Sequence, residues 1–323
     1  MDCRSSNQSE IALANKEYVV VQAPIVPGMQ ENLEGRYAVI RLWDESHASL
    51  LDSAAPSVRA LVTFHNIPLH LLESLPNLTI IANHGVGVDN IDFDYCRRRG
   101  IRVTNTPDVL TDDVADLAIL LLLAARRRLC EADQFVRSGQ WRQQMFPLTR
   151  KASGLRLGIF GLGRIGMAIA KRAESFDNTV AYHGRAKKPG VSYPYYSKLS
   201  ELAASSDVLV VACPLSEDTK HSVGKEVLDA LGPEGTLINI ARGSVVDESA
   251  LVEALVDKRL GGAGLDVFEN EPHVPKELLS MNNVVLSPHA RSATWETRQA
   301  MAKLVQDNLQ AFFAGKPLLT PVL

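Results

Sequence analysis

Leu157-Gly158-Ile159-Phe160-Gly161-Leu162-Gly163-Arg164-Ile165-Gly166 runs from an apolar strand into a glycine-rich turn that opens a helix, Met167–Ser175. The hexapeptide G-x-G-x-x-G is common; a strand before it and a helix after it give it meaning. Gly161 permits the tight turn, Gly163 lets a pyrophosphate approach the backbone, and Gly166 lets helix and strand pack closely. The amides of Arg164 and Ile165 then face phosphates from a helix N-terminus. The bland alternative is a glycine-rich βα turn with no ligand.

The next strand chooses between cofactors. Enzymes preferring NAD usually end it with a carboxylate that holds the ribose 2′-hydroxyl. Here Val180-Ala181-Tyr182 runs into His183-Gly184-Arg185-Ala186-Lys187-Lys188. A 2′-phosphate needs that positive charge, so NADP(H) is expected over NAD(H), with His183, Gly184, Arg185 and Lys188 around it. A solvated basic loop is the alternative.

Working outward, short β-branched runs alternate with helical stretches over the whole chain, the pattern of parallel sheets wrapped by helices. The first third reads as strands at Tyr18–Val21, Tyr37–Ile40, Ala60–Val62, Leu78–Ala82 and Ile101–Thr104, with helices at Pro68–Leu75 and Phe93–Arg99. The pattern restarts at Leu157–Phe160 and continues with Val180–Tyr182, Val208–Ala212, Thr236–Ile240, Ala263–Val267 and Val284–Leu286. The 323 residues suit two such α/β units at roughly 150 residues per domain. Between them Asp112–Arg128 is apolar nearly all round, so it must be covered all round. A second subunit on its far face and an ordinary central helix between two domains are both open. The final helix, Ser292–Ala314, is long enough to return to the first unit.

Composition excludes several classes. With 34 Lys and Arg against 37 Asp and Glu, the net charge is -3, which argues against a broad nucleic-acid surface. The runs Arg97-Arg98-Arg99 and Arg126-Arg127-Arg128 sit at expected helix ends, where cations suit the dipole. Cys3, Cys96, Cys130 and Cys213 have no metal-ligand spacing, so no metal is expected. The most apolar stretch, Leu117–Ala125, is far short of the ~20 residues that cross a bilayer. Residues 1–15 are polar and read as a flexible leader rather than a signal peptide. A cytoplasmic protein with no membrane partner is expected.

Three segments after the glycine motif place reactive side chains at strand ends, where open α/β sheets bind ligands. Arg242 follows Asn239-Ile240-Ala241, Glu271 lies in Gly264–Pro272, and His289 follows Leu286-Ser287-Pro288. Reducing a carbonyl with a hydride needs a cation for the substrate, an acid for the developing alkoxide and a carboxylate to keep that acid charged. Arg, His and Glu match those needs. Singly, each has a plain structural alternative.

These motifs, with Gly85-Val86-Gly87-Val88-Asp89, Thr104-Asn105-Thr106-Pro107, Asp112–Asp116 and Cys213-Pro214-Leu215, make the chain resemble the D-isomer-specific 2-hydroxyacid dehydrogenases. It is most similar to their NADPH-preferring glyoxylate, hydroxypyruvate and hydroxyphenylpyruvate reductase branch. The resemblance implies a Rossmann coenzyme domain at 106–290 inserted into a flavodoxin-like substrate domain at 16–105 plus 291–323, both doubly wound parallel sheets. It also implies a dimerisation arm at about 109–150 and hence a homodimer. By the same resemblance Arg242 binds substrate, Glu271 backs the acid and His289 donates the proton. Val86 and Gly87 amides cradle the substrate carboxylate, and Trp141 reaches a partner's site. Thr111, Cys213, Pro214, Thr219, Ile240, Ala241 and Asp266 join the glycine loop in the cofactor site.

Two positions depart from that pattern. His84-Gly85 replaces an aromatic and a Ser of plant-like relatives, which puts aromatic 2-oxo acids in doubt. Arg291 replaces a small residue two positions after His289. It is expected either to reach a distal anionic group on substrate or cofactor, or to turn outward or pair with Glu296. The expected activity is NADPH-dependent reduction of small 2-oxo acids to D-2-hydroxy acids. A dinucleotide-sensing scaffold of this fold, like the C-terminal-binding-protein co-repressors, and a reductase of larger or aromatic 2-oxo acids are the alternatives. Turnover on a substrate panel separates them.

Overall fold

The computed structural model describes residues 16–323 apart from Pro27. The expected leader, residues 1–15 with Cys3, lies outside the described residues. The chain forms two compact units, one of residues up to Leu110 with Thr294–Leu323, the other Thr111–Ala293.

The first unit holds β1 (Tyr18–Val21), β2 (Ala38–Arg41), β3 (Val58–Thr63), β4 (Ile80–Asn83) and β5 (Arg102–Thr104), in the order β2-β1-β3-β4-β5. All its pairings are parallel. Alternate residues of a strand point to opposite faces, and parallel sheets bury both. Val20, Leu61, Ile81 and Val103 therefore pack with Leu71, Leu72, Tyr95 and Cys96 of the helices Leu69–Ser74 and Phe93–Arg99. Val19, Val62, Ile80 and Ala82 pack instead with Ala302, Val305 and Leu309 of the last helix, Trp295–Phe313. That helix returns to the first unit, as its length suggested.

The second unit holds β6 (Arg156–Phe160), β7 (Thr179–His183), β8 (Tyr195–Tyr196), β9 (Val208–Val211), β10 (Thr236–Asn239), β11 (Gly262–Leu265) and β12 (Val284–Leu286). Their order is β12-β11-β10-β9-β6-β7-β8. The winding direction reverses beside β6, the strand that leads into the glycine turn. Open sheets of this kind bind ligands at such a reversal.

Three features add to the sequence reading. The edge strand β8 was not foreseen, because two residues carry no periodicity. Helix Thr111–Arg127 finds its cover largely inside its own unit, between β10–β12 and helix Arg164–Glu174. Small residues make this possible: a Cβ on Gly264 of β11 would lie 2.9 Å from the Cβ of Leu121. Asp112 and Asp116 both accept from Arg172 of the neighbouring helix, at 2.9 and 2.5 Å. Arg126 lies in the last turn of its helix, as expected, but does not face solvent. It is 9% exposed and donates to the carbonyls of Lys151 (3.1 Å) and Glu234 (3.3 Å), so it clamps two loops.

Candidate active site

The glycines do three different things. Gly161 has φ +99°, and a Cβ there would meet the Cys213 nitrogen at 2.5 Å. On Gly166 a Cβ would lie 2.3 Å from the Gly161 carbonyl oxygen, so helix and turn touch. A Cβ on Gly163 would meet nothing within 4 Å, leaving its approach open. No side chain caps helix Arg164–Glu174, which starts there. A pyrophosphate fits these features: open space, unbranched backbone and an uncapped helix N-terminus. Beyond β7, Arg185, Lys187 and Lys188 are exposed, with no acid partner among the described residues. Tyr182 Oη accepts from the Lys188 amide at 2.7 Å, which fixes the base of this basic loop.

Other expected cofactor residues have structural partners. His183 Nδ1 meets the Tyr196 carbonyl at 2.9 Å, and Gly184 O accepts from Tyr195 Oη at 3.2 Å. Thr219 Oγ1 caps its own turn, accepting from Ser216 N and donating to Pro214 O, both at 2.8 Å. Cys213 is buried, and burial pushes its thiol up to about 12. Its backbone faces the glycine turn. Ile240 and Ala241 are buried just past β10. Thr111 opens its helix, and Trp141 is 63% exposed.

Past β12, His289 Nδ1 lies 2.7 Å from Glu271 Oε2. Glu271 Oε1 accepts from the Phe268 amide at 3.1 Å. Burial raises the Glu271 carboxyl, but the bond and charge of His289, the Phe268 amide and the charge of Arg291 outweigh it and hold it below 4.5. A carboxylate so backed stays ionised beside an imidazole that can hold or release a proton at Nε2.

His289 adopts φ +53°, a costly left-handed conformation for a side chain of its size. Asp266, fully buried, holds it there. The Asp266 carbonyl accepts from the His289 amide at 2.8 Å. Its Oδ1 accepts from Ser287 Oγ (2.6 Å) and Ala290 N (2.7 Å), and its Oδ2 from Arg291 N (3.1 Å). Arg291 is the largest surprise: its side chain is only 14% exposed, with Nη1 3.8 Å from Asp266 Oδ2. It does not turn outward; it faces a carboxylate of the protein, Asp266 rather than the expected Glu296.

Arg242 follows β10, and its Nη1 donates to the Ala241 carbonyl at 2.9 Å. Asn239 sets this turn, with Oδ1 accepting from Ala241 N (3.0 Å) and Nδ2 donating to Arg242 O (3.0 Å). Gly243 presses on the Glu271 loop, since a Cβ there would lie 1.9 Å from the Phe268 carbonyl carbon. Sequence reading missed a second histidine–carboxylate pair on the same loop: His221 Nε2 to Glu269 Oε1, 2.7 Å. His221 N also donates to Ser244 O at 2.8 Å. This pair thus ties the segment after Arg242 to the segment before Glu271. Forty-eight residues separate the partners, and neither lies in a motif that would link them.

In the first unit Asn83 Nδ2 donates to the carbonyls of Gly85 (3.1 Å) and Gly87 (2.8 Å), and Asn105 Nδ2 to that of Val86 (2.9 Å). With their carbonyls so engaged, the Val86 and Gly87 amides have no acceptor among the described residues. Two adjacent unspent amides suit a carboxylate.

Parallel sheets, a glycine turn at the reversal point and a carboxylate-backed histidine define a nucleotide-dependent oxidoreductase. Residues 119–290 match the model of the D-isomer-specific 2-hydroxyacid dehydrogenase NAD-binding domain. Hydroxyphenylpyruvate reductase of Plectranthus scutellarioides is 53% identical over 94% of this chain and 98% of its own. Glyoxylate/hydroxypyruvate reductase A of Arabidopsis thaliana is 54% identical, over 94% of this chain and 98% of its own. The structure of an NADPH-dependent glyoxylate/hydroxypyruvate reductase from Sinorhizobium meliloti, in complex with NADP and malonate, superposes with a TM-score of 0.91. It is 45% identical and covers 95% of this chain and 97% of that one. The chain belongs to the D-isomer-specific 2-hydroxyacid dehydrogenase family. It is an oxidoreductase.

Proposed function

We propose that this enzyme reduces small 2-oxo acids with NADPH, glyoxylate and hydroxypyruvate first, giving the D-hydroxy acid where the product is chiral. The observation that carries the reading is the 2.7 Å His289–Glu271 pair, on a loop pinned by Asp266 in the unit that also holds the glycine turn. The unit Thr111–Ala293 serves as coenzyme domain and the other as substrate domain. The nicotinamide cofactor supplies the hydride. His289 gives its proton to the carbonyl oxygen, and Glu271 holds the resulting charge balance. Arg242 holds the carboxylate and polarises the C=O. In the first unit the Val86 and Gly87 amides suit a carboxylate. NADPH consumption with glyoxylate, hydroxypyruvate, pyruvate and phenylpyruvate tests this. Fast turnover of the first two is expected; slow turnover of all four would leave the scaffold reading.

The exposed Arg185, Lys187 and Lys188 support a preference for NADP(H) over NAD(H). A hydrogen bond to a charged group contributes about 1.5–3 kcal/mol, so Arg185→Ala should cut the preference by roughly 10- to 150-fold. Equal use of NADH by the unmodified enzyme would refute it.

We also read the active form as a homodimer. Leu129, Val136, Trp141, Met145 and Leu148 are exposed, the last two at 84% and 98%. So many large apolar side chains on one segment mark an association surface. Sedimentation should give twice the 35.3 kDa chain mass, and Leu148→Asp should shift it toward the monomer. A reducing cytoplasmic setting suits Cys96, Cys130 and Cys213, none of which is in a disulfide. Among the described residues no helix is long and apolar enough to cross a membrane.

A further inference from the structure

The carboxyl edge of the first-unit sheet carries polar groups that the reaction described above does not use. The alternation that sets Ile80 and Ala82 against helix Trp295–Phe313 places His84 on that same face, just beyond β4. Phe64, two residues past Val62 of β3, falls on it too, with its ring edge-on to that of His84 at 6.0 Å. Thr106 lies two residues beyond Thr104, the β5 residue paired with Ala82. Arg298 is one helical turn before Ala302, which packs on this face.

His84 is 3% exposed and Thr106 is fully buried, yet His84 Nδ1, His84 Nε2 and Thr106 Oγ1 have no hydrogen-bond partner. The main-chain oxygens of Arg298 and of His84 itself lie near the imidazole without meeting hydrogen-bond geometry. Burial and the Arg298 charge push His84 down to about 4, so its ring is neutral at pH 7. A neutral imidazole offers one donor and one acceptor. The Arg298 guanidinium is partly buried and has no acid partner among the described residues. Buried polar groups are normally satisfied, and three orphaned atoms beside an uncompensated cation are not an ordinary core. The neighbouring turn leaves room: a Cβ on Gly85 would meet only Asn83 Nδ2 at 3.4 Å and Gly87 O at 4.0 Å.

We propose that His84, Thr106 and Arg298 form a niche for an oxygen-bearing group at C3 or beyond of the 2-oxo acid whose carboxylate rests on the Val86 and Gly87 amides. The inference rests on the reductase reading and deepens it. A hydroxyl suits the niche because His84 can both give and take a hydrogen bond. A second carboxylate suits it because Arg298 supplies the missing charge.

The test uses the intact enzyme with NADPH on glyoxylate (no tail), pyruvate (methyl), hydroxypyruvate (hydroxyl) and oxaloacetate (carboxylate). His84→Phe should lower kcat/KM for hydroxypyruvate relative to pyruvate by about tenfold, the factor that one net hydrogen bond supports. His84→Gln, which keeps a donor and an acceptor, should restore most of that ratio. Arg298→Gln should lower oxaloacetate relative to hydroxypyruvate, and the larger of the two losses identifies the tail the niche was built for. NADPH binding, followed by fluorescence, reports that each variant is folded. An equal loss on all four substrates would make these residues structural and overturn the niche, as would unchanged ratios. A wild-type enzyme that turns over none of the four would instead remove the reductase reading itself.

Discussion

His289→Gln should lower the reductive kcat by about 10²- to 10⁴-fold, the usual contribution of a positioned general acid. The amide of Gln fills similar space but cannot deliver a proton. NADPH binding should change little, since the glycine turn and the basic loop are separate segments. The wild-type pair couples a carboxylate held below its ordinary pKa to the imidazole at 2.7 Å. Removing that carboxylate takes away the acceptor that orients the ring through Nδ1, so Glu271→Gln should lower the reductive kcat while NADPH binding changes little. An unchanged kcat would exclude Glu271 from this role. The depressed Glu271 pKa also has a stability sign. Its contribution is fully present above the ordinary carboxylate value of 4.5 and is lost as pH falls through the lower folded value. Acid should therefore weaken this loop, while neutral to alkaline pH leaves that contribution intact.

The second large effect is expected at Gly243. A methyl group there would sit 1.9 Å from the carbonyl carbon of Phe268, 2.0 Å from its oxygen and 2.3 Å from the Glu269 nitrogen. All three are backbone atoms, so no side chain can swing aside. Overpacking commonly costs about 1–3 kcal/mol, and a clash with rigid main chain belongs at or above the top of that range. At roughly 2–4 °C per kcal/mol for a unit of this size, Gly243→Ala should lower the Tm by about 6–12 °C. The clash separates the Arg242 turn from the Glu271 loop, so kcat/KM should fall even where the variant stays folded. Gly163→Ala is the control: its Cβ meets nothing within 4 Å, so stability should hold while NADPH binding weakens. A Gly243→Ala variant of normal Tm would mean that the two loops are not in contact.

The sequence read most clearly where a pattern is local. Both parallel sheets, the glycine turn and the order Arg242, Glu271, His289 follow from strand runs and short motifs. Strand limits moved by a residue or two: β2 begins at Ala38 because Tyr37 ends the preceding helix, its amide donating to Leu33 O. What stayed hidden depends on residues far apart in the chain. The His221–Glu269 pair, the orphaned His84 ring and the Arg126 clamp each need a partner or neighbour supplied by tertiary packing. What covers the all-round apolar helix stayed open for a related reason. Hydrophobicity says that a surface must be covered, but the small Gly264 that admits Leu121 says by what.

Asp266 and Arg291 make the two positions contingent on each other in one direction only. With Arg291 in place, losing the Asp266 charge would remove a carboxylate 3.8 Å from a guanidinium that is only 14% exposed, a cost for a buried cation. A small residue at 291 would leave Asp266 with the Ser287 hydroxyl and the amides of Ala290 and Arg291, donors that come from position 287 and the main chain. Position 291 can therefore be remodelled first, whereas 266 is locked for as long as the arginine remains. The order in which substitutions accumulate around the histidine, and not merely their identity, decides which variants of this loop are reachable.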